Sequence, residues 1–556
     1  MRVDLIWLGD SPPSDWALGE VYTTKPSPAA IHQLVEETLP MSSAGAWLFW
    51  DQRLGVPNAE VVKETLRLPG HLWHAGLSLG MGGFPGVTDF VEPLWMFNCD
   101  PSADHVATSW RLSLRACLIR TDVLRQMGSV DPRFQTLEAA ALDMGHRYIM
   151  RGVFTRHVPA LIKDANPLSV SIPLEDEMRF LRNRFKRWQN WWALFRMIAS
   201  GYAAPTAALR AWRKVGVSYS RPQPYNPDPS STTRASSRLQ AVDTVASVSV
   251  IIPTLHRYPY LRTLLAQLRE QTIPPAEIII IDQTAPDERD LMLERDFADL
   301  PLRVIYQDQP GQCSSRNRGL QIAQGEYVLF VDDDDEVPPT LIESHVENLT
   351  RYGSDVSSGV ANEVGAGVLP EHFTFMRLSD VFPTNNTLLR RDVLRESGLF
   401  DLAYDRGQRA DGDLGMRIYL SGALMVLHPE ISVLHHHAPS GGLRAHKARK
   451  ITYASSRQLL FQRHLPTVSE LYLAHRYFTA RQRREALWLR VFGTFSIRGG
   501  GLRKVAKMAI AFCLLPDTCW RIYRRSRRAA AMLGRFPKIP ALPAEVTTVR
   551  SPLSQP

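Results

Sequence analysis

From residue 248 onward the chain alternates two hydrophobic patterns. Continuous apolar, largely β-branched runs occur in VSVIIPT (Val248–Thr254), AEIIIIDQT (276–284), LRVIYQDQ (302–309) and EYVLFV (326–331). Runs of this kind predict strands buried on both faces. Between them lie YLRTLLAQLREQT, apolar at helical spacing and stopped by a Pro pair, and GQCSSRNRGLQIAQG (311–325), a helix entered and closed by glycines. The alternation predicts an α/β fold whose sheet is mostly parallel, with helices on both faces. Ligands of such sheets bind beyond the carboxyl ends of the strands. Asp282 ends the second run there, and Asp332, Asp333, Asp334 and Asp335, followed by Glu336, end the fourth. Neighbouring carboxylates raise one another's pKa, so this loop either lies in water or accompanies a cation.

A second pattern is repetition. LIRTDVLRQMGSVDPRFQTLEAAALDMGHRYIMRG (118–152) aligns without a gap on LLRRDVLRESGLFDLAYDRGQRADGDLGMRIYLSG (388–422). The alignment pairs Asp122 with Asp392, Gly128 with Gly398, Asp131 with Asp401, Asp143 with Asp413, Arg147 with Arg417 and Gly152 with Gly422. Upstream, AWLFWDQRLGVP (46–57) matches EYVLFVDDDDEVP with Asp51 at the place of Asp332. Gln52 and Arg53 replace Asp333 and Asp334 there, and Ala141 stands where the second copy has Asp411. Two related domains are expected, the first (1–217) stripped of carboxylates and the second over 248–450. A Pro/Ser/Thr-rich linker (218–247) joins them, a basic helical region (451–540) follows, and the tail (541–556) reads as disordered.

A chain of 556 residues with 44% hydrophobic and 22% charged residues is an ordinary globular protein of more than one domain. Its five cysteines include no CxxC pair, which points to a reducing compartment and away from a zinc or disulfide framework. No signal peptide is legible, and the best apolar stretch, MAIAFCLLP, is less than half of the roughly 20 residues a span needs. A cytoplasmic location is therefore expected. The net charge of +9 is uneven, with ten Lys or Arg against one Asp in residues 501–540. That segment is either a solvated face or a peripheral contact with an anionic membrane surface. Nucleic acid is set aside because no reading motif accompanies the charge. The helical segment 175–205, with Trp188, Trp191 and Trp192, is expected to pack across its own domain.

Five pieces in order carry a resemblance: VSVIIPT, Asp282 at the end of the second strand, SSRNRG (314–319), the Asp332-Asp333-Asp334 triplet, and ADGDLGMR (410–417). They resemble the family-2 glycosyltransferases, nucleotide-sugar enzymes of the GT-A fold, from residue 248 to about 437, with weaker echoes over 47–162. The resemblance implies inverting sugar transfer dependent on Mn²⁺ or Mg²⁺, a hard cation suited to carboxylate oxygens and diphosphate. By that likeness Asp332, Asp334 and His435 hold the metal, while Thr254, Asp282, Arg316, Asp332 and Asp333 surround the nucleotide. Asp411 is the general base, and the family's usual first acid is missing at Ala410. Asn385, Asn386, Asp413, His437, Arg444 and Lys447 are candidate acceptor or diphosphate contacts. Read as residues alone, Asp282 also suits a turn, Arg316 a neighbouring carboxylate, the asparagines a cap, and Asp413 a helix-start contact. The expected donor is a UDP-, dTDP- or GDP-linked sugar. The expected acceptor is a glycan or lipid-linked glycan of bacterial surface polysaccharide assembly, and a binding protein without turnover is the alternative.

Overall fold

The computed structural model describes residues 1–91, 95–163, 167, 169–216, 222–227, 246–365, 367–438, 442, 465–493 and 501–543. Two sheets organise it. The first is built from β1 (Val3–Leu8), β2 (Val21–Thr24), β3 (Ala46–Asp51), β4 (Leu72–His74), β5 (Ala107–Thr108), β6 (Ala116–Arg120) and β7 (Thr155–His157), in the order β2-β1-β3-β6-β4-β7-β5. The second contains β8 (Val248–Thr254), β9 (Glu277–Asp282), β10 (Leu302–Tyr306), β11 (Tyr327–Phe330), β12 (Asp335–Glu336), β13 (Val356–Glu363), β14 (Arg377–Leu378), β15 (Thr387–Arg390) and β16 (Met425–His435). Its order is β10-β9-β8-β11-β15-β13-β16-β12, with β14 also on β16. If β10 and β12 are set aside, the two orders coincide. So do the directions: β1 is parallel to β2 and β3 as β8 is to β9 and β11, and β6 is antiparallel to β3 and β4 as β15 is to β11 and β13.

The four apolar runs form β8, β9, β10 and β11, all parallel to one another, and β8 and β9 are buried almost throughout. The other half of the second sheet departs from the expected parallel arrangement. β15 runs antiparallel to β11 and β13, and β12 and β14 run antiparallel to β16. A parallel neighbour needs a crossover, usually a helix. Between β13 and β15 the described chain has a three-residue helical turn, Glu371–Phe373, and the two-residue β14 but no crossover helix, so it comes back as a return strand.

The halves meet through a reciprocal contact. Gly152 (φ +92°) is packed so closely that a Cβ there would lie 2.5 Å from the Met376 carbonyl oxygen; Gly422 (φ +89°) stands the same way, 2.6 Å from that of Val106. The repeat alignment pairs Gly152 with Gly422, and the same offset carried upstream of it pairs residue 106 with residue 376. Contact of i with j and of j with i is the mark of twofold packing. Around it Arg151 pairs with Glu371 at 2.7 Å, and Arg156 donates to the Gly422 carbonyl. One apolar core runs through both halves, with Trp47, Trp110 and Phe180 from the first and Ile251, Phe330 and Phe400 from the second.

Several boundary expectations change. Within the linker, Tyr225 is buried and its hydroxyl donates to Asp122 at 2.6 Å, so residues 222–227 are docked on the first half. Leu542 is buried and Pro540 accepts from the Leu399 amide, so packed chain extends into the expected tail. The 175–205 segment is two helices, Leu174–Arg184 and Arg187–Ala199. The second buries Ala193, Leu194 and Met197 but leaves Trp188, Trp191 and Phe195 more than half exposed. The helix does pack, yet its aromatic side faces outward. The five cysteines are free. Among the described residues no helix is long and apolar enough to cross a membrane.

Candidate active site

Beyond the carboxyl ends of β8, β9 and β11 the acidic loop is buried rather than solvated: Asp333, Asp334 and Asp335 are 3%, 1% and 2% exposed. The chain supplies a basic partner for each carboxylate. Arg316, on the helix Gln312–Ile322, reaches Asp332 at 2.6 Å. Arg257, just past β8, lies 2.9 Å from both Asp333 and Asp334. His435, at the end of β16 and opposite Asp335 in the β12–β16 ladder, hydrogen-bonds it at 2.7 Å, and His436 meets Glu336 at 2.5 Å. Thr254 Oγ1 donates to Asp333 at 2.8 Å, and the Ala438 amide to Asp334 Oδ2 at 2.8 Å.

Electrostatics keep the cluster under tension. Burial pushes the Asp333 carboxyl up to about 7, with Arg257 opposing and Asp334 adding to the rise. Burial likewise pushes Asp335 up, and the hydrogen bond from His435 works against it. Burial disfavours charge on His435 too, but Asp335 and the neighbouring aspartates outweigh it and lift the imidazole to about 9. The pair therefore holds a proton across its 2.7 Å contact. Buried polar atoms are normally bonded, yet Asp334 Oδ1, Arg316 Nε, Glu363 Oε2 and His437 Nε2 have no hydrogen-bond partner. Asp334 Oδ1 has Arg257 at 2.9 Å, outside hydrogen-bond alignment, and His435 Nδ1 at 3.8 Å.

A divalent cation fits this donor set in one particular way. Among the described residues no three His, Cys, Asp or Glu side chains converge as a complete cage. Mg²⁺ commonly takes only one or two carboxylates and fills its shell with water and phosphate oxygens. The orphaned oxygen of Asp334 and the half-exposed Asp332 beside it match that mode.

Asp282 is buried at the end of β9, where Tyr258 Oη donates to it at 2.7 Å and the Thr284 amide at 2.9 Å. The structure thus has it holding the β9 turn, beside the site. Asn385 stays within 3.4 Å of Asp335. Asn386 is a correction: fully buried, it bonds His345 and the carbonyls of Val360 and Ile431, out of reach of any sugar hydroxyl. Asp413 is another. It is fully buried against Arg417 at 2.8 Å and the Tyr477 hydroxyl at 2.8 Å, which makes it an anchor for its helix and not an acceptor contact. His437 (φ +52°) faces Glu363 at 3.3 Å and packs edge-on against His435. Arg444 and Lys447 lie outside the described residues.

Asp411 is exposed in the first turn of the helix Ala410–Leu420, and its carboxylate has no partner among the described residues. A relay of contacts ties this helix start to the acidic loop. Asp405 accepts from the amides of Cys313 and Ser314, both at 2.8 Å, and so caps the helix that carries Arg316 to Asp332. Gly311 makes room for it, since a Cβ there would lie 2.1 Å from Asp405 Oδ2. Beside Asp411 a cavity opens between Arg409, Gly412, Leu473 and Phe478, with Arg483 and Arg490 also on its wall. Arg409 itself is left-handed at φ +82°.

Sequence reading missed Arg257, Tyr258 and Asp405. Arg257 was legible in principle, as the first basic residue but one past the carboxyl end of β8; Asp405 was not, because its loop has no periodic pattern. In the first half, Asp51 is neutralised by Arg53 at 2.8 Å and by Arg115, which also holds Glu138. Ala141, at the place of Asp411, is fully buried.

Residues 249–398 match the family model described as Glycosyl transferase family 2. Over 110 residues the chain is 36% identical to the putative glycosyltransferase EpsH of Bacillus subtilis, covering 20% of this chain and 31% of that protein. Over 98 residues it is 39% identical to the uncharacterized glycosyltransferase YibD of Escherichia coli, covering 17% and 28%. Over 112 residues it is 31% identical to the poly(ribitol-phosphate) beta-N-acetylglucosaminyltransferase TarS of Staphylococcus aureus, covering 19% and 20%. The chain thus spans between 20% and 31% of the length of these relatives. Among solved structures, S. aureus TarS 1-349 in complex with UDP-GlcNAc overlaps 52% of this chain and 92% of that one at 18% identity and a TM-score of 0.35, too loose to place any residue. The matched segment holds the acid-ended strands, the Arg316 helix and the whole aspartate run, and by it the chain carries a glycosyl transferase family 2 domain.

Proposed function

We propose that the second half transfers a sugar, with inversion, from a nucleoside diphosphate sugar to a hydroxyl of a glycan or lipid-linked glycan, as in the assembly of a bacterial surface polysaccharide. The observation that carries this reading is the buried aspartate run at the strand ends, with Asp334 Oδ1 orphaned, in a segment of glycosyltransferase sequence. Asp334 and Asp332, with His435 behind them, would hold Mn²⁺ or Mg²⁺ together with the donor's diphosphate. When bound, the cation stabilises negative charge on the leaving group as a Lewis acid. In this reading Arg316 and Arg257 would take diphosphate oxygens as well as carboxylates, and Asp282 with Tyr258 would meet the base. Asp411 accepts the proton of the acceptor hydroxyl as that oxygen attacks the anomeric carbon from the face opposite the diphosphate. Its exposure and lack of a partner support that role.

The first half, in this reading, is a non-catalytic copy of the same fold. The matching strand orders support the duplication, and the internal pairing of Asp51 and burial of Ala141 support the loss of chemistry. The N-acetylglucosaminyltransferase among the relatives makes a nucleotide-linked N-acetylglucosamine the first donor to try. The test is release of nucleoside diphosphate from a panel of donors with Mn²⁺ or Mg²⁺. Transfer should fall at least about 100-fold in Asp411→Asn, with donor binding by thermal shift unchanged. Donor binding without any product in the wild-type chain, across a panel of glycan and lipid-linked acceptors, would replace this reading with that of a binding protein.

A further inference from the structure

The helix Gly501–Cys513 is turned outward in an unusual way. Leu502, Val505, Met508 and Phe512 are 88%, 63%, 51% and 78% exposed, while Lys507 is buried. Their spacing of three and four residues places the apolar side chains along one face. The next helix, Leu515–Arg535, buries Thr518, Ile522, Ser526 and Ala529, and Ser526 bonds His475 on the helix Val468–Tyr477. Its other side presents Trp520 and Tyr523, both more than half exposed.

Charge identifies what this surface fits. Residues 501–535 contain nine Lys or Arg and one Asp, and that Asp517 is paired with Arg521. Arg524, Arg527 and Arg528 are exposed and meet no carboxylate within ion-pair distance among the described residues. Apolar side chains left in water over a whole helix mark a contact surface. A second copy of the same cationic face would repel it. A bilayer with anionic headgroups offers hydrocarbon for the stripe and negative charge for the arginines.

We propose that these two helices dock the protein on the surface of an anionic membrane. Leu502, Val505, Met508 and Phe512 enter the boundary between headgroups and acyl chains, Trp520 and Tyr523 sit at headgroup depth, and the exposed arginines meet lipid phosphates. Ser526 also lines the cavity beside Asp411, so the docked helix is a wall of that cavity.

The test is co-sedimentation of the intact chain with phosphatidylcholine vesicles, with and without phosphatidylglycerol. Binding is expected to the anionic vesicles and to weaken as salt is raised. The double variant Leu502→Glu, Phe512→Glu alters two outward side chains, so its melting temperature should stay that of the wild type while vesicle binding falls about tenfold or more. Arg524→Glu with Arg528→Glu should remove the preference for phosphatidylglycerol. Equal sedimentation with and without vesicles, or wild-type binding by the Leu502/Phe512 variant, overturns the proposal. Conversion of an oligomer to a monomer by that variant, without vesicle binding, would make a second copy the occupant.

Discussion

Asp333 and Asp334 share one guanidinium, and removing it leaves two buried carboxylates facing each other. Arg257→Ala should therefore destabilise the chain by about 3 kcal/mol, the range for breaking a buried pair from one side. Mn²⁺ alone should raise the melting temperature of that variant more than that of the wild type, because the cation then replaces the lost guanidinium; an equal shift in both would mean that the aspartates do not take it. His146 makes the opposite kind of demand. Burial holds its imidazole down to about 3, against 6.5 when free, where it lies among Trp110, Phe180 and Phe185. As pH falls below 6.5 the unfolded chain takes up a proton that the native one refuses, so this residue's contribution to stability falls with acidification. Relative to wild type, His146→Phe should gain about 2 kcal/mol between pH 7 and pH 5. Urea midpoints at the two pH values check the sign, and a difference independent of pH would mean that the native imidazole is charged.

The helix Gln312–Ile322 has little amphipathic pattern of its own and depends on what its ends meet. Its first amides are held by Asp405, from a loop some ninety residues away in sequence. Asp405→Ala should cost about 1 kcal/mol as a lost cap. The helix carries Arg316 to Asp332, so the same change should also weaken donor binding, read as a smaller thermal shift on adding nucleoside diphosphate sugar. If stability drops with the donor shift intact, the cap does not position Arg316. β15 is the other element whose surroundings decide its behaviour. Its sequence, TLLR, is apolar enough for a buried strand, but its antiparallel direction follows from the connection after β13, which has no crossover helix.

Across the whole molecule the two halves are locked by a quasi-twofold contact whose symmetry is visible in the residue numbers. Gly152→Ala and Gly422→Ala each push a methyl group into a carbonyl oxygen of the opposite half, at a left-handed φ. Each should destabilise by about 1–3 kcal/mol. Both variants should lower the melting of the chain as one unit, because the apolar core is continuous between halves. Two separated calorimetric transitions in either variant would mean that the halves fold independently.

Sequence alone pointed to a double copy and located the buried strands and the acids at their carboxyl ends, because these rest on periodicity and on local order along the chain. It also singled out Asp411, which the structure leaves exposed and unpaired. It could not distinguish Asn385 from Asn386, since adjacent residues differ only in which way the backbone turns them. One meets Asp335, and the other disappears into the core. Nor could it find the cation inside the acidic loop. Arg257 and Asp333 are 76 residues apart and carry no shared pattern; only the parallel alignment of β8 with β11 brings them together. Patterns of period two or 3.6 record which face a residue occupies, whereas the partner across a strand end is decided by how distant elements pack.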